Sequence, residues 1–124
     1  MKPFNSLCIV TRNVPRLRQF YAAVLEEESQ GDDVFAFWTN PRADLVLYDW
    51  EQTEKLAPGC MSGAGYGGCV LEFGVSDVDA EYERLEKLGV TFAKLPTTQP
   101  WGIRSVWFHD PDGNLINFNA PVAK

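Results

Sequence analysis

Apolar positions along the chain alternate between a strand-like and a helix-like period. Leu7 to Thr11 is a short, β-rich apolar run that predicts a strand. Asn13 follows as a helix cap, with Pro15 in the first turn, where its missing N–H costs little. From Val14 to Leu25, Leu17, Phe20, Tyr21 and Val24 recur at three and four residues, the stripe of an amphipathic helix. Asp33 to Thr39 holds an aromatic strand, Asn40-Pro41 breaks it, and Ala43 to Trp50 predicts the next strand. Glu51 to Ala57 has a weak helical tendency and leads into a glycine-rich stretch from Gly59 to Gly68.

The same order then starts again. Cys69 to Val75 predicts a strand, Ser76-Asp77 a cap, and Asp79 to Leu88 a helix with Tyr82, Leu85 and Leu88 on one face and Gly89 as its stop. Val90 to Leu95 reads as a strand, Pro96 to Pro100 as a loop, Ile103 to His109 as a strand and Leu115 to Phe118 as the last one. Asp110-Pro111-Asp112-Gly113-Asn114 is a tight turn, because Pro presets φ while Gly and Asn tolerate positive φ. Asn13-Val14 and Asp77-Val78 occupy the same junction at a shift of 64, which places Ile9 on Phe73 and Val24 on Leu88. Asp44 to Asp49 echoes Asn114 to Asn119 at a shift of 70. The chain therefore reads as one domain over 1–124, with halves at about 1–57 and 69–124 joined by a glycine-rich linker at 58–68.

Composition narrows the function. With 45% apolar and 23% charged residues the profile is that of a globular protein, and 124 residues leave little room for a second core. A net charge of −6 disfavours nucleic acid, whose phosphates need a basic stripe, and favours a cationic or neutral small ligand. No apolar run is long enough to span a bilayer, and the opening Met1 to Ser6 lacks a secretion signal. Three cysteines, Cys8, Cys60 and Cys69, form no paired framework, so reduced thiols in the cytoplasm are expected.

The residues Asn13-Val14, Phe20-Tyr21 and Val24-Leu25 resemble the opening of a vicinal oxygen chelate protein, the superfamily of glyoxalases, bleomycin-resistance proteins and extradiol dioxygenases. So do Phe73 to Asp79, Leu88-Gly89-Val90, Trp101-Gly102 and Phe108 to Ile116. The resemblance implies an α+β fold of two tandem βαβββ modules forming a curved mixed sheet around a cleft, commonly completed by homodimerisation. In metal-using members four positions supply His and Glu ligands. Carried over singly, they fall on Ser6, on Val70, on Asn117, and on Leu47, or Leu45 if the register slips by two. None of these is a usual ligand for a divalent ion, so no metal and no cofactor is expected. The only His, His109, stands outside those positions.

Strand alternation names the side chains that share the ligand-position face: Ser6, Cys8 and Val10 in the first strand, Val70, Glu72 and Gly74 in its repeat. A carboxylate at Glu72, inside an aromatic cleft, would pair with a ligand cation or serve as a base of raised pKa; the plain alternative is an internal ion pair or a wet sheet edge. Asn117 and Asn119 would bond a ligand or merely satisfy backbone groups. Trp101 would stack on a flat ligand or plug the core, Arg104 would reach an anion or stay a solvated strand-edge residue, and Tyr66 would fold over a guest. Cys8 reads as a small buried hydrophobe more readily than as a nucleophile, since no His stands beside it. Gly63 to Gly68 matches the G-x-G-x-x-G string, but it precedes a strand and opens no helix, so it reads as linker.

These features together predict a metal-independent protein that binds a cationic or aromatic small molecule by stacking and charge pairing. The alternative is a lyase-, isomerase- or dioxygenase-like enzyme of the same superfamily with Glu72 as general base. A metalloenzyme with relocated ligands, such as Glu72 with His109, and a purely regulatory module rank behind these.

Overall fold

The computed structural model describes residues 1–65 and 68–122. Its contacts divide into two compact units, Met1–Ala64 and Gly65–Lys124. In the first, β1 (Ser6–Thr11), α1 (Val14–Leu25), β2 (Gln30–Gly31), β3 (Phe35–Trp38), β4 (Asp44–Asp49) and α2 (Trp50–Leu56) follow in order. The second contains β5 (Val70–Gly74), α3 (Val78–Leu88), β6 (Thr91–Thr98), β7 (Ile103–His109) and β8 (Leu115–Pro121). Each unit is a βαβββ module with a mixed four-stranded sheet, ordered β1-β4-β3-β2 and β5-β8-β7-β6. The predicted α+β class and the duplication are present.

Helices α1 and α3 start where the sequence places a cap. The Asn13 carboxamide oxygen accepts from the Arg16 N–H at 3.1 Å, and the Asp77 carboxylate accepts from the Ala80 N–H at 3.1 Å. Behind them each stripe meets one face of its own sheet. Val14, Leu17, Tyr21 and Val24 of α1 are buried along with Ala36, Trp38, Leu45 and Leu47. Tyr21 lies 6.1 Å from Trp38, whose indole N–H donates to the Glu27 carbonyl at 2.8 Å. In the second module Val78 and Leu85 of α3 are buried with Leu71, Val106, Phe108, Ile116 and Phe118. Each such large side chain contributes about 1.5–3 kcal/mol relative to an exposed position.

Pairing corrects the repeat register at the last strand. Ser6 stands opposite Asp44 and Val70 opposite Leu115, so the strand repeats at 115 − 44 = 71 rather than 70. The counterpart of Asn117 is therefore Val46, not Leu47 or Leu45, which are buried like Ile116 and Phe118. The runs Leu45-Val46-Leu47 and Leu115-Ile116 are too uniformly apolar to set a one-residue register; hydrogen-bonded pairing does so.

Strand β6 also departs from expectation, running through Pro96 to Thr98 instead of stopping at Leu95. It is an edge strand, where a missing N–H is tolerated. The turn sits later, and it repeats the construction of the next one. In Gln99-Pro100-Trp101-Gly102-Ile103 the Gly102 N–H donates to Gln99 O at 3.0 Å and the Gln99 N–H to Ile103 O at 2.8 Å. In Asp110-Pro111-Asp112-Gly113-Asn114 the corresponding bonds are 3.0 Å and 2.9 Å. Gly102 and Gly113 take φ of 85° and 92°, the left-handed position that a three-residue hairpin loop requires.

The second hairpin is held by a buried carboxylate. Asp110 Oδ1 accepts from the Asp112 and Asn114 N–H groups, both at 2.9 Å, and Oδ2 from Asn114 Nδ2 at 2.8 Å. Replacing Asp110 by Ala strands these donors beneath the turn. Asp110→Ala is expected to lower stability by about 3 kcal/mol, read as an earlier urea midpoint with an unchanged m-value.

Candidate functional site

Each sheet of the protein has one face turned to its helix and one turned away, and the two away-facing surfaces differ in chemistry. In the first module this face carries Ser6, Cys8 and Val10 of β1, Val46 and Tyr48 of β4, and Phe35 and Phe37 of β3. It is aromatic: the Phe35 ring lies 5.6 Å from Phe37 and 5.8 Å from Tyr48. Cys8 is exposed there, not a buried hydrophobe, because β1 is an edge strand; neighbouring side chains still strip part of its hydration and push its thiol pKa up.

The second module's away-facing surface is polar and concave. Glu72, Lys94, Gln99, Trp101, Ile103, Ser105, Trp107, Asn117 and Asn119 line a concavity of about 550 Å³. Cross-strand pairing orders them. Glu72 stands opposite Asn117, Asn117 opposite Trp107, and Trp107 opposite Lys94, so four side chains form one row across four strands. Gly74, Asn119, Ser105 and Thr97 form the next.

The floor is preorganised by its own hydrogen bonds. Asn119 Nδ2 donates to Asn117 Oδ1 at 2.8 Å, and the Trp107 indole N–H donates to Ser105 Oγ at 3.2 Å. Asn117 and Ser105 are buried, while Glu72 is exposed. Its exposure differs from the enclosed carboxylate expected from sequence, and the reason is local. Glu72 lies on β5, an edge strand of its sheet, paired only with β8. Trp101, 73% exposed, is neither buried nor a core plug, since it is carried at the tip of the Gln99–Ile103 hairpin.

Of the residues singled out from sequence, Glu72, Trp101, Asn117 and Asn119 come together here. Cys8 belongs to the other sheet. Tyr66 lies outside the described residues. Arg104 faces the opposite way: its Nε and Nη2 hold Asp79 of α3 at 2.9 and 2.7 Å, and Nη1 donates to Thr98 Oγ1 at 3.1 Å. That fork satisfies the guanidinium within the fold and leaves it outside the concavity.

Sequence reasoning passed over Gln99, Ile103, Ser105, Trp107 and Lys94. The first four were within reach, since Ile103, Ser105 and Trp107 alternate with Arg104, Val106 and Phe108, and Gln99 opens an X-Pro-X-Gly hairpin like the one at Asp110. Lys94 was not. Simple alternation puts it on the face of Phe92, whose ring lies 5.0 Å from Tyr82 of α3. An irregularity between Phe92 and Lys94 inserts one residue and turns Lys94 to the concave side.

The residues at the family's ligand positions do not fit a divalent ion. Ser6 offers an exposed hydroxyl, Val46 and Val70 have no donor atom, and Asn117 Oδ1 is taken by Asn119. Among the described residues no three His, Cys, Asp or Glu side chains gather in a way that could hold a metal ion. His109 shares the concave face, paired between Leu115 and Thr91, with its Nδ1 buried and without a hydrogen-bond partner among the described residues.

The Asp79–Arg104 pair has a pH consequence. Hydrogen bonding and charge from Arg104 hold the Asp79 carboxyl below its ordinary value. A depressed folded-state pKa stabilises the fold above the unfolded value of about 3.9, and that contribution disappears as pH falls through the folded value. Arg104→Gln is therefore expected to bring the urea midpoint forward at neutral pH in low salt, with the gap to wild type closing as the pH falls through the unfolded carboxyl value of about 3.9 and below it.

A family model described as the glyoxalase/bleomycin resistance protein/dioxygenase superfamily matches residues 4–118. No curated protein matches the chain. Among solved structures, a glyoxalase/bleomycin resistance protein/dioxygenase from Nocardioides is 26% identical, with 98% of this chain and 85% of that one covered at a TM-score of 0.79. A glyoxalase/bleomycin resistance protein/dioxygenase family enzyme from Burkholderia phytofirmans PsJN is 18% identical over 95% and 98% of the two chains, with a TM-score of 0.83. A lactoylglutathione lyase from Agrobacterium tumefaciens is 20% identical over 96% and 93%, with a TM-score of 0.75. The latter two speak for the fold alone.

Proposed function

The chain belongs to the glyoxalase/bleomycin resistance protein/dioxygenase superfamily, and within it we propose that this protein binds a cationic, partly planar small molecule reversibly, without a metal ion. The observation that carries this reading is the concave row of the second module, where the Glu72 carboxylate is set beside a buried amide and an indole. Among the described residues Glu72 has no ion-pair or hydrogen-bond partner. A cationic nitrogen seated there gains a charge-assisted hydrogen bond, and Asn117 beside it supplies a neutral polar contact. Trp107, anchored through its N–H, and Trp101 on a short hairpin present flat apolar surface on which a ring can stack at little entropic cost. The volume of about 550 Å³ lies in the range of small-molecule sites.

A homodimer belongs to the same proposal. Phe35 and Val70, on the away-facing surfaces of their sheets, remain 43% and 40% exposed in the single chain, apolar area that a second copy would cover. Sedimentation at micromolar concentration is expected to give twice the chain mass; a monomer alone would remove this element.

The ligand reading is tested by a thermal-shift screen of a small-molecule library, run with and without EDTA. Hits are expected among aromatic cations, unchanged by the chelator, because a ligand raises Tm by preferring the folded state. Glu72→Gln is expected to weaken such hits about tenfold, the worth of one charge-assisted bond. Hits that require a divalent ion, or that ignore the Glu72 substitution, would refute the reading.

A further inference from the structure

The row that begins at Glu72 ends at Lys94, and the ammonium at that end has no part in the reading above. Three inter-strand spacings of about 4.8 Å put the two backbone positions roughly 14 Å apart across β5, β8, β7 and β6. Both side chains are exposed and line the same concavity. Among the described residues neither has an ion-pair or hydrogen-bond partner. The interposed Asn117 and Trp107 keep the charges apart, so each remains open to a guest.

The placement of Lys94 is specific to this stretch of chain. Phe92 pairs with Phe108 and Lys94 with Trp107, so two steps along β6 match one along β7. Lys94 and Thr97 then match Trp107 and Ser105, three steps against two. Two irregularities thus bracket Lys94. The first reverses its face, and the second returns the strand to ordinary pairing beyond it. Without them the ammonium would share the helix-facing side with Phe92.

We propose that the guest of this concavity is a molecule bearing both charges, with a cationic nitrogen at Glu72, a flat middle against Trp107, and a carboxylate or phosphate group at Lys94. The inference rests on the small-molecule reading above and deepens it, since Lys94 then selects among cations for those with an anionic group at the far end. A molecule with a single charge would leave one end of the row unmatched, and a dication would place a positive charge against Lys94.

Four probes built on one ring test this: benzylamine, benzoate, para-aminomethylbenzoate and para-xylylenediamine. Affinity for the 124-residue chain is measured by NMR titration, following the indole N–H signals of Trp101 and Trp107. Para-aminomethylbenzoate is expected to bind about fivefold more tightly than benzylamine or the diamine, the scale of one partly exposed charge pair. In Lys94→Glu the order is expected to reverse, with the diamine now tightest; this gain of binding cannot arise from misfolding. Equal binding of benzylamine and para-aminomethylbenzoate, with no reversal in Lys94→Glu, would overturn this inference and leave the cation site standing. Binding of benzoate that is unchanged in Lys94→Glu would overturn it as well. Failure of all four probes to shift either indole signal would overturn both readings.

Discussion

The double pairing of β8 is the constraint on which the rest of the second module depends. This strand runs parallel to β5 on one side and antiparallel to β7 on the other, and both ladders must be satisfied at once. Its side chains therefore have a single permitted sorting: Ile116 and Phe118 toward α3, Asn117 and Asn119 away from it. A slip of one residue would bury two amides among Phe108, Leu85 and Val106 and expose two large apolar groups instead. The core thus enforces the geometry of the concave face. Glu72 and Trp107 are positioned by the same ladders, one strand to either side.

The first module shows what the same scaffold does with different side chains. Its central strand β4 pairs parallel to β1 and antiparallel to β3, as β8 does with β5 and β7. Where the second module has Glu72 and Asn117, the first has Cys8 and Val46, and where it has Asn119 the first has Tyr48. One surface is consequently aromatic and the other carries fixed polar groups and two opposite charges. The duplication preserves backbone pairing and helix-facing packing, while the away-facing residues differ between the modules, since they are not the side chains that pack against either helix.

Metal chemistry is a useful contrast. At the positions where metal-using members of the superfamily carry His and Glu, this chain has a hydroxyl, two valines and an amide already engaged by its neighbour. What remains available is hydrogen bonding, stacking and charge pairing, which hold a molecule through many modest contacts rather than a few strong bonds. Hairpins enter here as well. The Pro-X-Gly loops at Trp101 and Asp112 hold their backbone through internal hydrogen bonds, so the exposed indole is displayed from a rigid support.

The sequence alone determined the βαβββ duplication, the two capped helices, the Asp110–Asn114 turn and the sorting of Glu72, Asn117 and Asn119, because period, caps and turn residues are local and repeat along the chain. Its limits appear where local information is degenerate. Leu45-Val46-Leu47 can be laid on Leu115-Ile116-Asn117 or on Ile116-Asn117-Phe118 with similar apolar match, and only the hydrogen-bonded partner across the sheet chooses. Arg104 shows the same dependence, since its fork is claimed by Asp79, twenty-five residues away in sequence. Lys94 is the clearest instance: one inserted residue in β6 reverses its face, and no feature of Thr91 to Thr98 other than Pro96 hints at it. A bulge is settled by what the neighbouring strand can pair with, so tertiary structure alone decided where that charge would point.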